Sequence, residues 1–366
     1  MKVLVTGANG FIGKNLVTHL NENEDIEIIK FDRNDDFKLI EENIKDIDFI
    51  FHLAGVNRPV ETKEFYEGNF DLTKSLVDLI NNENPEVKLM ISSSIQAALD
   101  NDYGKSKKLA EDYLLESGLP VYVFRLSNVF GKWCRPNYNS ACATFCYNIA
   151  HNLPITIRDR EYIVHFNYVD DIVNTFFKCI KGDINPSKNI LYIEPTYDIS
   201  LGNLADALYR FKNDIESDAH LPKINNDFEL KLFITFCDYL RDEKYTLNYA
   251  SDNRGSFEEI YKDDRYGQIS INKAYPGITK GGHYHKYKKE IFMTVIGDCL
   301  IRERNINTNE LLTYTVNGKE SKKIDMIPNY THDIKNIGDI DSVTIMWIDH
   351  IYQEETADTY REPLDL

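Results

Sequence analysis

The sequence has little of what marks secreted or membrane proteins. Its six cysteines are scattered and form no CxxC pair, so we expect free thiols in a reducing compartment. No apolar run approaches the ~18 residues that a membrane-spanning helix needs. No basic segment followed by a long apolar one precedes the first strand-like run. We therefore expect a cytoplasmic protein without a signal peptide or a membrane partner.

Positive charge is also scarce. Lys and Arg number 42 against 59 Asp and Glu, and the formal net charge is −17. A surface of this sign repels phosphate backbones, so we expect no nucleic-acid partner. An anionic small substrate stays possible, because a few local Arg and Lys side chains can override the overall field.

The first part of the 366 residues alternates strand-like apolar runs with helical segments. The predicted strands are Lys2–Thr6, Ile26–Phe31, Phe49–Leu53, Leu89–Ser92 and Val121–Arg125. Strict alternation of this kind predicts βαβ units and a doubly wound parallel sheet of the Rossmann type. Helical patterns then continue to residue 243.

From residue 245 onward the pattern changes to short β runs that are separated by turn residues. Examples are Gln268–Ala274, Ile291–Ile296, Leu311–Val316 and Ser342–Ile348. Many short strands without helices predict a sandwich or barrel of ~120 residues. We therefore predict an α/β domain over residues 1–243 and an all-β domain over residues 244–366.

Three glycines follow the first predicted strand with the spacing GxxGxxG: Gly7, Gly10 and Gly13. Glycine at such a turn lets backbone N–H groups approach a pyrophosphate at the amino terminus of a helix. Strand, glycine turn and helix follow one another in the order that a dinucleotide site requires. The segment therefore predicts a dinucleotide cofactor.

Two residues at the end of the second predicted strand bear on which dinucleotide this is. Asp32 is an acid at the position that favours the free 2′-hydroxyl of NAD. Arg33 follows it and can hold the 2′-phosphate of NADP. We favour NADPH, with Arg33 facing the phosphate and Asp32 turned away.

A serine run and a tyrosine–lysine pair suggest acid–base chemistry. Tyr103 and Lys107 are four residues apart, so a helix puts them on one face. A nearby ammonium lowers the pKa of a phenol, which can then exchange a proton with a carbonyl or alcohol oxygen. Ser94 would hydrogen-bond the same oxygen. The neighbouring Ser93 is the alternative.

These motifs resemble the extended short-chain dehydrogenase/reductase family over residues 1–243. The resemblance rests on the glycine turn, His52–Gly55, Asn69, the serine run, the tyrosine–lysine pair and Arg125–Gly131 (RLSNVFG). It implies hydride transfer between nicotinamide C4 and a sugar carbon. The cofactor-binding residues that we expect are Gly7, Gly10, Phe11, Ile12, Gly13, Arg33, Leu53, Ala54, Gly55 and Asn69.

Candidate substrate residues follow the carboxyl ends of the predicted strands, where ligands bind in open α/β sheets. Basic and aromatic side chains at this edge can hold a diphosphate and a uracil ring. The candidates are Arg58, Gln96, Lys132, Trp133 and Asn139, together with Lys280 in the second domain.

The second domain carries a candidate metal site. His283 and His285 alternate along a predicted strand, so their rings face the same side. Glu290 opens the next strand, and His332 comes from a distant one. Three imidazoles and one carboxylate suit a divalent transition metal, and we expect Zn²⁺.

This HxHx4E pattern with a distant histidine resembles the two motifs of the cupins, which are small antiparallel barrels. Some cupins epimerise 4-keto nucleotide sugars, in which the carbonyl acidifies the neighbouring C3–H. The resemblance therefore implies a proton shuttle, for which Lys280, Tyr284 and the metal ligands are all candidates. The sequence does not choose among them.

The order of the two domains resembles a family of bifunctional enzymes of capsular polysaccharide synthesis. Its motifs include SSSIQA (Ser92–Ala97), FGKWCRPNYNS (Phe130–Ser140), RGSF (Arg254–Phe257) and PGITKGGHYH (Pro276–His285). The resemblance implies C3 epimerisation of UDP-2-acetamido-2,6-dideoxy-4-hexulose, then NADPH reduction at C4 to the L-talose sugar. It also implies a homodimer and a route to UDP-N-acetyl-L-fucosamine. The alternative is a redox-neutral, NAD-dependent epimerase whose cupin is a dimerisation module without chemistry.

Overall fold

The computed structural model describes residues 1–216, 221–240, 249–263, 265–351 and 357–364. The chain divides into two compact units. One comprises Met1–Tyr209 and Asn225–Asp242, and the other comprises Arg210–Ile224 and Glu243–Leu366. The predicted boundary between residues 243 and 244 lies outside the described residues. Among the described helices, none is both long enough and apolar enough to cross a membrane.

The first unit is built on a six-stranded parallel sheet with the strand order β2-β1-β3-β4-β5-β8. A smaller sheet has the order β6-β7-β9. The strands are β1 (Lys2–Thr6), β2 (Glu27–Phe31), β3 (Phe49–His52), β4 (Lys88–Ser94), β5 (Val121–Leu126), β6 (Asn128–Phe130), β7 (Ile163–Tyr168), β8 (Ile190–Tyr192) and β9 (Tyr197–Ser200).

Helices cover the larger sheet on both faces, as a parallel sheet with buried strands requires. On β1, Val3 and Val5 pack in one apolar cluster with Phe176, while Leu4 packs in another with Leu76. The helices within this unit are α1 (Phe11–Leu20), α2 (Lys38–Asn43), α3 (Lys63–Tyr66), α4 (Leu72–Glu83), α5 (Asp102–Glu116), α6 (Ala141–Ala150), α7 (Val169–Lys181) and α9 (Asp227–Leu240). Helix α8 (Leu201–Glu216) has its last residues, from Arg210, in the second unit.

The second unit contains two antiparallel sheets. Their strand orders are β10-β11-β12-β19-β14-β17 and β16-β15-β18-β13-β20. The strands are β10 (Tyr249–Asp252), β11 (Gly255–Asp263), β12 (Gly267–Ala274), β13 (Thr279–Tyr284), β14 (Glu290–Ile296), β15 (Asp298–Asn305), β16 (Leu311–Asn317), β17 (Lys323–Met326), β18 (Tyr330–Asn336), β19 (Ser342–Ile348) and β20 (Tyr360–Arg361).

The two sheets of the second unit pack face to face. Phe292 and Met326 of the first sheet share one apolar cluster with Cys299, Ile301 and Ile334 of the second. The parallel sheet of the first unit and the antiparallel barrel of the second confirm the predicted fold class. The six cysteines are all free thiols, as predicted.

Candidate active sites

The glycine turn connects β1 to α1 and can only be made by glycine. Gly7 has a φ of +68°, and a Cβ there would lie 2.7 Å from the amide nitrogen of Ala54. A Cβ on Gly13 would lie 2.1 Å from the carbonyl oxygen of Gly7. Gly10 caps α1, which begins with Phe11 and Ile12. The turn therefore leaves backbone N–H groups at a helix amino terminus, where a pyrophosphate binds.

Asp32 and Arg33 take different directions at the end of β2. The Asp32 carboxylate accepts a hydrogen bond of 2.6 Å from the backbone N–H of Asn9 in the glycine turn. The Arg33 side chain is 87% exposed, and its distance to the Glu64 carboxylate is 4.0 Å. A guanidinium so weakly engaged is available to a phosphate.

The end of β3 meets α5, the helix of the predicted catalytic pair, through Asn69 and Gly55. The Asn69 side chain bonds both backbone groups of Val56 at 2.9 Å and donates to Ser106 Oγ at 3.0 Å. A Cβ on Gly55 would lie 2.8 Å from Asn69 Oδ1 and 3.0 Å from Lys107 Nζ. Glycine at position 55 therefore lets the predicted cofactor segment Leu53–Gly55 approach the predicted catalytic lysine.

Lys107 is almost completely buried, with 6% of its surface exposed. Its ammonium group donates to the carbonyl oxygen of Ser92 at 3.2 Å. Burial lowers the pKa of Lys107 to about 8, although the charge of Glu111 opposes this effect. The lysine is thus poised near neutral pH, as an acid–base partner should be.

Tyr103 lies beside Ser94. Burial raises the pKa of the Tyr103 phenol, and a hydrogen bond from Ser94 acts in the opposite direction. The hydroxyl of Ser93, the alternative serine, instead donates to Glu111 at 2.5 Å. The structure therefore places Ser94 beside Tyr103, and the Lys107 ammonium against the carbonyl oxygen of Ser92, at the carboxyl end of β4.

The loop after β6 carries the predicted substrate residues. The Lys132 ammonium donates to Asp170 at 2.6 Å and lies 5.6 Å from the ring of Trp133. Trp133 has a φ of +68°, and its backbone N–H donates to the Asp238 carboxylate at 2.9 Å. This strained conformation holds an indole that remains partly exposed.

The remaining candidates of the first unit are exposed side chains. The Arg58 guanidinium donates to the carbonyl oxygen of Tyr138 and lies 5.8 Å from its ring. Asn139 follows in the same loop. Gln96 lies in the short turn after β4, where its backbone N–H donates to Ser94 Oγ at 3.2 Å. The Arg58 side chain thus contacts the loop that carries Asn139, while Gln96 adjoins Ser94, the predicted catalytic serine.

The second unit assembles the predicted metal ligands. One ligand atom from each of His283, His285, Glu290 and His332 lies within 4.8 Å of every other. Glu290 Oε2 is 3.3 Å from His285 Nε2 and 3.0 Å from His332 Nε2. These three atoms are buried without a hydrogen-bond partner among the described residues. Orphaned nitrogen and oxygen atoms that converge in this way fit a divalent transition metal.

Electrostatics acts on the individual ligands in different directions. Burial opposes the charged form of His285, but the Glu290 carboxylate raises the pKa of this imidazole. Burial lowers the pKa of His283 to about 4, so this imidazole is neutral at neutral pH. Burial alone would raise the pKa of Glu290, but the imidazoles of His285 and His332 hold it well below its usual range. A neutral imidazole beside an ionised carboxylate is the form that coordinates a cation.

The metal cluster opens into a cavity of about 520 Å³. The side chains of Lys280, Asn272 and Phe292 are part of its wall. Lys280 Nζ donates to Asn272 Oδ1 at 3.0 Å and to the carbonyl oxygens of Ser256 and Lys273 at 3.1 and 2.7 Å. Tyr284 stacks on Tyr360 with a centroid distance of 5.2 Å.

Some features of these sites are absent from the sequence prediction. On β12, Gln268, Ser270 and Asn272 alternate with isoleucines and line the cavity. The polar–apolar alternation is visible in the sequence, but it does not say which face is inside. Nδ1 of His285 bonds the carbonyl oxygen of Asp358, 73 positions away, and no local pattern signals such a contact.

Comparisons with known proteins agree with this geometry. The model described as NAD dependent epimerase/dehydratase family matches residues 3–191. The model described as Polysaccharide biosynthesis C-terminal domain matches residues 250–360. A relative from Pseudomonas aeruginosa, UDP-2-acetamido-2,6-beta-L-arabino-hexul-4-ose reductase, is 42% identical and aligns over 98% of each chain.

Solved structures are similar over the same span. The crystal structure of capsular polysaccharide assembling protein CapF from Staphylococcus aureus has a TM-score of 0.91 at 41% identity, and the match covers 99% of this chain and 100% of that one. The chain belongs to the CapF family. UDP-glucuronic acid 4-epimerase from Bacillus cereus is 17% identical with a TM-score of 0.56, which reflects the fold alone.

Membership of the CapF family confirms the resemblance seen in the sequence. The match to the epimerase/dehydratase model makes the chain an enzyme of the reductase and epimerase type with a nicotinamide cofactor. In this member of the CapF family, the unit with the parallel sheet carries the glycine turn after β1 and the tyrosine–lysine pair on α5. The antiparallel unit carries the histidine–glutamate cluster.

Proposed function

We propose that the chain is a bifunctional enzyme of nucleotide-sugar metabolism. The cupin unit epimerises C3 of UDP-2-acetamido-2,6-dideoxy-4-hexulose, and the reductase unit reduces C4 to give UDP-2-acetamido-2,6-dideoxy-L-talose. The observation that carries this proposal is the set of Tyr103, Ser94 and the buried Lys107 around the end of β4, in a chain 42% identical to a protein named as a hexulose reductase. The product leads towards UDP-N-acetyl-L-fucosamine for capsule or O-antigen.

In the reductase unit, bound NADPH supplies a hydride to C4 of the sugar. Tyr103 donates its phenolic proton to the C4 oxygen as negative charge develops there. Ser94, which already bonds the phenol, holds the same oxygen. Lys107 stabilises the tyrosinate that remains and orients the nicotinamide ribose.

The choice of NADPH rests on the second strand. Asp32 is turned into the glycine turn, and the Arg33 side chain is 87% exposed at the adenosine end of the site. A free guanidinium there pairs with a 2′-phosphate. The acid at position 32 supports NAD instead, and the experiment below therefore includes both cofactors.

In the cupin unit, His283, His285, Glu290 and His332 hold the metal, which we propose is Zn²⁺. A metal in this set supplies Lewis acidity towards a carbonyl oxygen. Epimerisation removes the acidic C3 proton and returns a proton to the opposite face. Lys280 contributes charge to the cavity wall, and its three hydrogen bonds hold it in place.

Residues 1–243 form the reductase domain and residues 244–366 form the cupin domain, in a cytoplasmic homodimer. Arg58, Gln96, Lys132, Trp133 and Asn139 contact the UDP-sugar in the reductase domain, and Lys280 contacts it in the cupin. The contact with the UDP-sugar is supported by the loop after β6, where Lys132 bonds Asp170 and lies beside the ring of Trp133.

The test combines the purified protein with a freshly generated UDP-4-keto-6-deoxy-HexNAc in D₂O. NADPH or NADH is added, and the reduced-nicotinamide absorbance and the NMR spectrum are followed. Loss of NADPH absorbance together with deuterium at C3 of the product is the expected result. Deuterium at C3 without oxidation of either cofactor would reject the reductase and leave a redox-neutral epimerase.

A further inference from the structure

A buried ion pair lies behind the reductase centre. Glu111 on α5 is 1% exposed, and the side chain of Arg125 on β5 is 14% exposed. Arg125 Nε donates to Glu111 Oε1 at 2.9 Å, and Nη2 donates to Oε2 at 2.6 Å. Such a two-pronged pair fixes the geometry of both partners.

The same carboxylate holds the strand that carries the catalytic serine. Ser93 Oγ donates to Glu111 Oε1 at 2.5 Å. Ser93 on β4 and Arg125 on β5 are directly paired in the sheet. Glu111 therefore bonds adjacent residues of two neighbouring strands. The next residue along β4 is Ser94, whose hydroxyl bonds Tyr103. Glu111 therefore connects the serine strand to the helix of Tyr103 and Lys107.

Glu111 also acts on Lys107 electrostatically. The two residues are four positions apart on α5, and the negative charge of Glu111 raises the pKa of Lys107 against the effect of burial. His52 faces Lys107 from the end of β3, and its pKa of about 3 makes it neutral. Among the residues that the structure describes, Tyr103 on α5 and Arg125 on β5 are further ionisable groups around this point, and Tyr192 of β8 interacts with Arg125. Glu111 is thus the anion that supports the buried ammonium.

We propose that Glu111 is a positioning residue of the reductase centre, holding the Ser94 strand against the catalytic helix and placing a negative charge beside Lys107. The proposal rests on the reductase function proposed above. It predicts more than a loss of stability, because removing the carboxylate changes the titration of the tyrosine–lysine centre. Removing Arg125 breaks the same ion pair but keeps the carboxylate beside Lys107.

The test compares Glu111→Gln, Glu111→Asp and Arg125→Gln in the full-length protein with NADPH and the keto sugar. The alkaline limb of the kcat profile should move to lower pH by about one unit in Glu111→Gln, since the opposing charge is lost. It should return towards the wild-type position in Glu111→Asp, which restores the charge. In Arg125→Gln it should stay in place or move to higher pH.

The titration of Lys107 is also read directly, by NMR of lysine labelled at its side chain, with Lys107→Arg to assign the signal. This readout decides the proposal even if the wild type does not reduce the sugar, which would count against the proposed function alone. If Glu111→Gln does not fold, the neutral pair Glu111→Gln/Arg125→Gln replaces it. A smaller shift to lower pH is then expected, because loss of the Arg125 charge offsets part of the effect of losing the Glu111 charge. Lowered thermal stability with an unchanged Lys107 titration in all variants would overturn the proposal.

Discussion

Nε2 of His332 lies 3.0 Å from Oε2 of Glu290, and both atoms are buried without a hydrogen-bond partner among the described residues. Such an arrangement is costly unless a cation satisfies it. We expect the purified protein to carry one divalent metal per chain and His332→Ala to lose it, as measured by elemental analysis. His350→Ala, which removes an exposed histidine of the same unit, should retain the metal. Full metal content in His332→Ala would remove that residue from the ligand set.

Replacement of Tyr103 by phenylalanine separates the two proposed half-reactions. The variant lacks the phenolic proton, so NADPH oxidation should fall by about 10²–10⁴-fold. Deuterium incorporation at C3 should continue, because it depends on the other unit. Tyr113→Phe is the matched control, since Tyr113 lies on the same helix and its hydroxyl bonds Asp78. Equal losses of both reactions in Tyr103→Phe would contradict the division of labour between the units.

His52 gives the first unit a pH-dependent stability. Thr73 donates to the carbonyl oxygen of Asn69 at 2.6 Å, so His52 Nε2 donates to Thr73 Oγ1 at 2.9 Å and Nδ1 accepts from Thr6 at 2.8 Å. The imidazole is neutral, and burial together with Lys107 lowers its pKa from 6.5 to about 3. Because only the unfolded state binds the proton above that value, stability falls as the pH drops below 6.5.

The expected loss from this residue is about 2 kcal/mol at about pH 5 relative to neutral pH. His52→Gln keeps a polar side chain that does not titrate, so the variant should lack this component. Urea unfolding of both proteins at the two pH values measures it, and other titrating groups cancel in the comparison. An identical pH dependence in wild type and variant would show that His52 titrates alike in both states.

The sequence predicted the parallel sheet well because its strands are continuous apolar runs. It predicted β1 to the residue, and Tyr103 and Lys107 both lie on one helix, α5, as expected. The helix begins at Asp102, after a cap at Asn101 whose Oδ1 accepts from the backbone N–H of Gly104 at 2.8 Å, and the sequence prediction did not include this cap. Caps of this kind depend on one side-chain bond and leave no periodic pattern.

The candidate sites were predictable where short spacing decides the geometry, as for Tyr103 with Lys107 and His283 with His285. The residues that hold these side chains in place were not predictable. Glu111 bonds Ser93, 18 positions away, and the sequence offers no reason to pair them. The choice of Ser94 over Ser93 depends on the same contact, because Glu111 occupies the Ser93 hydroxyl. Contacts between elements that are distant in the chain are set by the fold and not by local pattern.

Arg33 tests the cofactor preference. Its side chain is 87% exposed and its distance to Glu64 is 4.0 Å, so little in the protein competes with a phosphate for the guanidinium. Arg33→Ala should lower kcat/KM for NADPH by about tenfold, which corresponds to about 1.4 kcal/mol of lost charge-assisted bonding, and leave NADH unchanged. Lys45→Ala, which removes an exposed cation paired with Glu83, is the control. If kcat/KM falls equally with NADPH and NADH, position 33 supports the fold of the turn. If it does not change with either cofactor, Asp32 sets the preference and the cofactor is NAD.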